Sequence, residues 1–374
     1  MNRAVPSSTA PSPQLRRLIT GGILLLGAAI RFAHLPFLRI DLPHAGGGLF
    51  VEFAHQIAAN GFRLPERIPF YSEGGIPFAY PPLPFYIEAI FTDVLALPDF
   101  TVANLLPPVI AVAAVVMFYW LTRELEMDFL AQMIALLAYA TMDAAFLDQT
   151  EASGLAEAFG SLTLIWFAIG LVRAHRDPGV RQHIVAGLLW ALCVLASPGS
   201  AYASILTFGV FALARLEALE WQPSAGDVGL LVMAGLVALA ASSPYWLTVA
   251  VRHGVRIFVS SLSAQHGDGI RLWEYVLDYK FTGETFLWNA MLLLGAAWAL
   301  IEGRWALLGW AVALGLIPRE GWWLASVPAA ILIGSGGARL FAAPLMEIAQ
   351  GRRWTVGQVL LISLVALLIF AGVW

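Results

Sequence analysis

Long apolar stretches separated by short polar connectors recur along the whole of this 374-residue chain. The segments 18–30, 107–121, 228–243 and 355–374 hold no charged residue. A helix of about 20 apolar residues matches the hydrocarbon core of a bilayer. Lipid offers backbone groups no partner, so such runs must be helical. The pattern predicts spans near 16–36, 100–122, 128–147, 153–173, 183–197, 199–216, 227–250, 285–302, 305–318, 321–341 and 354–374. The fifth and sixth are separated only by Ser197-Pro198-Gly199, which reads as a tight turn at membrane depth or as one broken helix. The expected fold class is all-α: a polytopic membrane helical bundle of about 11 transmembrane helices with a long first outer loop bearing juxtamembrane helices.

Composition agrees with the pattern. The chain is 59% hydrophobic and 12% charged, whereas a soluble domain carries about 25% charged residues. Residues 81–99 are apolar enough to tempt a twelfth assignment. Pro82 and Pro84 open this stretch and Glu88 and Asp93 interrupt it, which suits an amphipathic helix lying on the membrane surface. Charge separates the two readings. With 81–99 outside, the inner loops hold 12 basic and 9 acidic residues, and the outer side 9 basic and 16 acidic ones. The split is +3 against −7, with the Arg-rich loop 173–181 inside, as the positive-inside rule requires. The N-terminus is then cytoplasmic. Residues 1–14 read as a disordered tail, and Arg16 and Arg17 precede an uncleaved first helix.

Two outer segments are long, 37–99 and 251–284. The first is too long to be a simple connector. It is aromatic, proline-stiffened and dotted with carboxylates, which suits a sugar or lipid-headgroup site. Within it VEFAHQIAANG has apolar residues at helical spacing and ends in Asn60-Gly61, a C-cap signal. Gly46-Gly47-Gly48 is no phosphate-binding P-loop, because no Lys-Ser/Thr follows; it reads as a close approach of backbone to ligand, or as a flexible turn. The single cysteine, Cys193, reads as a small core residue.

An acidic residue soon after the first span, a short helix, and an FAYPPL element (78–83) before a surface helix resemble the GT-C superfamily of membrane glycosyltransferases. The loop 142–157 (MDAAFLDQTEASGLAE) falls where that superfamily keeps a second acidic motif. SSPYWLTVAVRHG (242–254) is similar to the end of its seventh span. The resemblance covers roughly residues 16–260 and is to members of the protein-mannosyltransferase and aminoarabinose-transferase kind. It implies a donor sugar carried on a polyprenyl phosphate, an acceptor of unknown identity, and a reaction at the outer face of a prokaryotic plasma membrane. It implies that Asp41 is the general base. Asp148, Glu151 and Tyr80 would bind substrate, and Arg252, His253 and Arg319, at outer span ends, would neutralise the lipid phosphate. A divalent cation, Mg or Mn, is a further candidate at the carboxylates. No nucleic acid is expected. The chain departs from the superfamily pattern in having His44-Ala45 before its glycines and Ser197-Pro198 where many members have His-Pro.

Simpler readings stand beside these. Asp41 can cap a short helix or pair with Arg39. Asp148 or Ser153 can cap the following span. His44 and His55 read as ordinary loop residues, and Tyr80 and the 14 tryptophans suit the interfacial aromatic belt. The leading expectation is a glycosyltransferase. The alternatives are a catalytically inactive relative that binds lipid-linked sugars or scaffolds a complex, and, less favoured, a transporter. The expected organisation is a tail at 1–14, a GT-C-like module over 15–260 that includes loop 37–99, and C-terminal helices over 261–374. Because the last apolar run reaches residue 374, the resemblance implies a continuation and hence a fragment.

Overall fold

A computed structural model describes residues 12–33, 35, 46–70, 72–258, 286–317 and 321–339. Twelve α-helices and one two-residue-per-strand hairpin lie among them. They are α1 (Pro13–Phe32), α2 (Gly47–Ala59), β1 (Arg67–Ile68), β2 (Ile76–Pro77), α3 (Leu83–Ala89), α4 (Asp99–Glu124), α5 (Phe129–Thr141) and α6 (Leu155–Arg176). There follow α7 (Val180–Ala196), α8 (Pro198–Ala218), α9 (Ala225–His253), α10 (Phe286–Ile301), α11 (Trp305–Gly315) and α12 (Gly321–Gly337). Nine of these overlap nine of the expected spans, and α5 covers only the first part of a tenth, 128–147. The eleventh, 354–374, lies outside the described residues, as does the tail before Ser12. The fold is therefore the expected all-α polytopic bundle.

Local sequence sets the helix ends. Ser12 caps α1, and Asp128 caps α5 by accepting from the Ala131 amide at 3.0 Å. Ser197 and Ser200 form a capping box at the start of α8, with Pro198 in the first turn, so the 197–199 break is a true helix start. His175, Pro178, His183, Arg215 and Asp227 line one small hollow, so the far ends of α7 and α8 return to the same end of the bundle. Ser197-Pro198-Gly199 is thus the tight turn of an antiparallel helix pair.

Among the described residues, four helices are long and apolar enough to cross a membrane alone: Asp99–Glu124, Ala152–Arg176, Pro198–Ala218 and Ala225–His253. The expected span 128–147 is broken instead. The chain bends by 78° between Phe129–Thr141 and Asp143–Gln149, and three 3-10 turns follow at Asp143–Ala145, Leu147–Gln149 and Ala152–Gly154. α6 is the central helix, packed against α4, α7 and α8. α9 lies at the edge and leaves most of its surface free for lipid. α12 packs on α5, α10 and α11, and one apolar core runs from Ala114 in α4 to Ile333 in α12.

The two ends of the bundle differ. At one, Arg173 and Arg176 bind Glu124, Arg176 also binds Glu126, and Arg215 binds Asp227. These are loops expected inside. At the other end lie α2, the hairpin, α3, the 3-10 turns and the end of α9. Residues 81–99 do not cross the bundle. α3 and the π-turn Ile90–Val94 that continues it make 12 helical residues, about 18 Å at 1.5 Å per residue, too short for a ~30 Å core. The expected wet face on this helix is only half right, because Asp93 is exposed but Glu88 is buried.

Candidate active site

Three segments distant in sequence meet at the second end. The first is the outer layer. Phe53, Ala54 and Ile57 of α2 pack against Phe85 and Ala89 of α3, with Ile68 and Phe78 between. Phe50, Phe53, Phe78, Tyr80 and Phe85 form a ring cluster, with Phe53 edge-on to Phe85 at 4.9 Å. Tyr80 is thus half-buried among aromatic rings. Asn60 caps α2 as expected, and Gly61 (φ +63°) turns the chain.

The second segment is the acidic loop 142–154. A Cβ added to Gly47 would lie 2.5 Å from the Ala152 Cβ, and one on Gly46 would touch Ser153. The close approach that the glycines permit is therefore to protein, and Gly47 and Gly48 belong to the first turn of α2. Gly154 is forced for the same reason, because a Cβ there would overlap the Asp148 carbonyl oxygen. Neither Asp148 nor Ser153 caps α6; its N-cap is Gly154, with no side-chain hydrogen bond. The Asp148 carboxyl is raised above the usual carboxylate range, chiefly by burial and then by the charge of Glu151. The two acids therefore feel one another.

The third segment is the end of α9. Tyr245 Oη donates to the Ala79 carbonyl at 2.7 Å. Arg252 Nη1 donates to the carbonyls of Leu64 at 2.8 Å and Pro65 at 3.2 Å. The FAYPPL and SSPYW elements thus join. Between them opens a cleft of about 430 Å³. Leu83, Leu195, Pro244 and Tyr245 supply apolar wall, and Arg63, Arg252 and Tyr86 supply polar groups. Arg63 and Tyr86 escaped the sequence reading. The only signal for Arg63 was its place two residues beyond the Asn60-Gly61 turn. Tyr86 Oη donates to the Phe62 carbonyl at 3.2 Å.

His253, next to Arg252, is half-buried. His55 is not a loop residue; it lies on α2 and meets Asp99 at 3.2 Å. Nearby Glu88 is 1% exposed, and neither carboxyl oxygen has a hydrogen-bond partner. Burial, with Asp99 second, pushes its carboxyl up to about 8. Asp41 and Arg319 lie outside the described residues.

No protein-family model and no curated protein matches the sequence. Solved structures do match. One is the archaeal oligosaccharyltransferase AglB from Archaeoglobus fulgidus with an inhibitory peptide and a dolichol-phosphate, at 16% identity and TM-score 0.58, over 96% of this chain and 55% of that one. Another is ArnT from Cupriavidus metallidurans bound to undecaprenyl phosphate, at 16% identity and TM-score 0.56, over 91% of this chain and 64% of that one. The chain has a GT-C fold. It spans about half the length of the AglB structure and less than two thirds of ArnT. A third match, at 18% identity and TM-score 0.55, is the A. fulgidus enzyme in complex with Zn and sulfate, over 94% of this chain and 51% of that one. In this chain no three His, Cys, Asp or Glu among the described residues are placed to hold a metal.

Proposed function

We propose that the protein is a membrane glycosyltransferase that moves a sugar from a polyprenyl-phosphate donor to an acceptor hydroxyl at the outer end of the bundle. The observation that carries this reading is the cleft between α3 and α9. Its apolar wall suits an isoprenoid chain, and two arginines stand where that chain's phosphate would reach the interface. Fold alone does not decide function, but AglB and ArnT were both solved with lipid phosphates, and the cleft has the chemistry to hold one.

In this reading Asp41 takes the proton of the acceptor hydroxyl. The freed oxygen bonds to the anomeric carbon as the bond from that carbon to the phosphate oxygen breaks. The electron pair leaves with the polyprenyl phosphate, whose charge Arg63 and Arg252 neutralise. Arg319 and His253 are further candidates for that task. Asp148 and Glu151 bind the acceptor, beside Tyr80. The placement of Gly46 against Ser153 supports a shared site, since Gly46 follows Asp41 by only five positions. Among the described residues no three are placed to hold a metal, and the step runs on this chain's own residues.

Purified full-length protein and a panel of synthetic polyprenyl-phosphate sugars test the proposal. Arg63→Ala with Arg252→Ala should raise KM for the donor at least about tenfold, the loss of one or two charge-assisted contacts. An unchanged donor KM in the double variant sinks the assignment of the cleft.

A further inference from the structure

Arg31 closes the last turn of α1 with no solvent exposure. It has no carboxylate partner among the described residues. Its guanidinium is spent on carbonyl oxygens. Nη1 donates to Gly27 at 3.2 Å and to Ala140 at 3.0 Å, and Nη2 to Tyr139 at 3.4 Å and Ala145 at 3.3 Å. Tyr139 and Ala140 belong to the last turn of α5, whereas Ala145 lies beyond the break, in the first 3-10 turn. The aromatic contacts repeat the arrangement. The guanidinium carbon is 5.9 Å from the ring of Tyr139 and 5.7 Å from that of Phe146, and Phe118 stacks on Tyr139 at 4.3 Å.

One cation therefore grips both sides of the 78° bend. The physics favours a cation here. The last carbonyls of a helix have no partner within it, and they form the negative end of its dipole. A planar fork reaches several carbonyls at once, which a lysine ammonium cannot do from one position. Phe146 and Ala145 lead directly into Asp148 and Glu151, and α1 leads into the chain that carries Asp41.

We infer that Arg31 is the positioning residue of the acidic loop: by bridging the end of α5 and residues 145–146 it sets where Asp148 and Glu151 stand. The inference takes the role of those two carboxylates from the function proposed above, but the bridge itself is independent of it.

Two variants of the full-length protein, Arg31→Lys and Arg31→Met, test it by amide hydrogen exchange. Exchange in 143–154 should quicken by about tenfold or more in Arg31→Lys, while amides in the middle of α4 and α6 keep their wild-type rates. Arg31→Met should give the same pattern more strongly; if it does not fold, the lysine variant decides alone. Unchanged loop exchange in Arg31→Lys overturns the inference. So does an equal increase across α4 and α6, which would make Arg31 a general prop of the bundle. Where transfer activity is present, Arg31→Lys should raise KM for the acceptor and leave KM for the donor as it was; a rise in donor KM alone also overturns it. A wild-type protein without transfer activity sinks the proposed function, yet leaves the exchange test intact.

Discussion

Glu88 is the residue whose environment departs furthest from its chemistry. Its carboxyl is buried without a hydrogen-bond partner and feels the charge of Asp99, which pairs with His55. A carboxyl held at about 8 when folded keeps its proton at pH 7, whereas in the unfolded chain it is ionised above about 4.3. The folded state binds more protons throughout that interval, so stability from this group is full below the unfolded value and is lost as pH rises through about 8. Glu88→Gln removes the titration and keeps the shape. Its thermal midpoint should match wild type near pH 4, exceed it by a growing margin up to pH 8, and stay above it beyond. Parallel midpoint curves for the two proteins would show that Glu88 is ionised in the fold.

Helix ends and turns carry the elements of the site. Gly154→Ala would press a methyl group into the Asp148 carbonyl. Such crowding costs about 1–3 kcal/mol, and a lower unfolding midpoint together with weaker acceptor binding would reveal it. An unchanged midpoint would mean that the acidic loop yields freely. Tyr245→Phe removes the bond to Ala79 and should cost about 0.5–1.5 kcal/mol, read as easier proteolysis of the 60–80 region. The spans were legible because lipid enforces helices on long apolar runs, and the turn at 197–199 because Ser-Pro is both a stop and a cap. The break at 142 was not. The contact that grips both its sides comes from Arg31, 109 residues away from Ala140, and no periodicity around 142 records that contact. Arg63 and Glu88 were hidden in the same way. One lines a cleft completed by α9, far away in sequence, and the other is buried by packing that its own segment does not encode. The FAYPPL and SSPYW elements were legible as motifs, but their meeting at Tyr245 and Ala79 was not.

At the scale of the whole molecule, charge and function must agree on sidedness. The Arg-rich end, with Arg173, Arg176 and Arg215, is expected in the cytoplasm and the cleft outside it. In a Cys193→Ala background, a cysteine replacing Pro178 should resist an impermeant thiol reagent in intact cells, and one replacing exposed Glu73 should react. The reverse pattern would invert the topology and place the cleft on the wrong side for an outer acceptor. The proposed role of Asp41 is that of general base in sugar transfer. Its most direct test compares wild type with Asp41→Asn, purified at full length, for transfer from polyprenyl-phosphate sugars to a hydroxyl acceptor. Wild type should turn over at least one donor, and asparagine at 41 should lower kcat by about 10²–10⁴-fold. Equal rates for the two proteins, or no turnover of any donor by wild type, would contradict it.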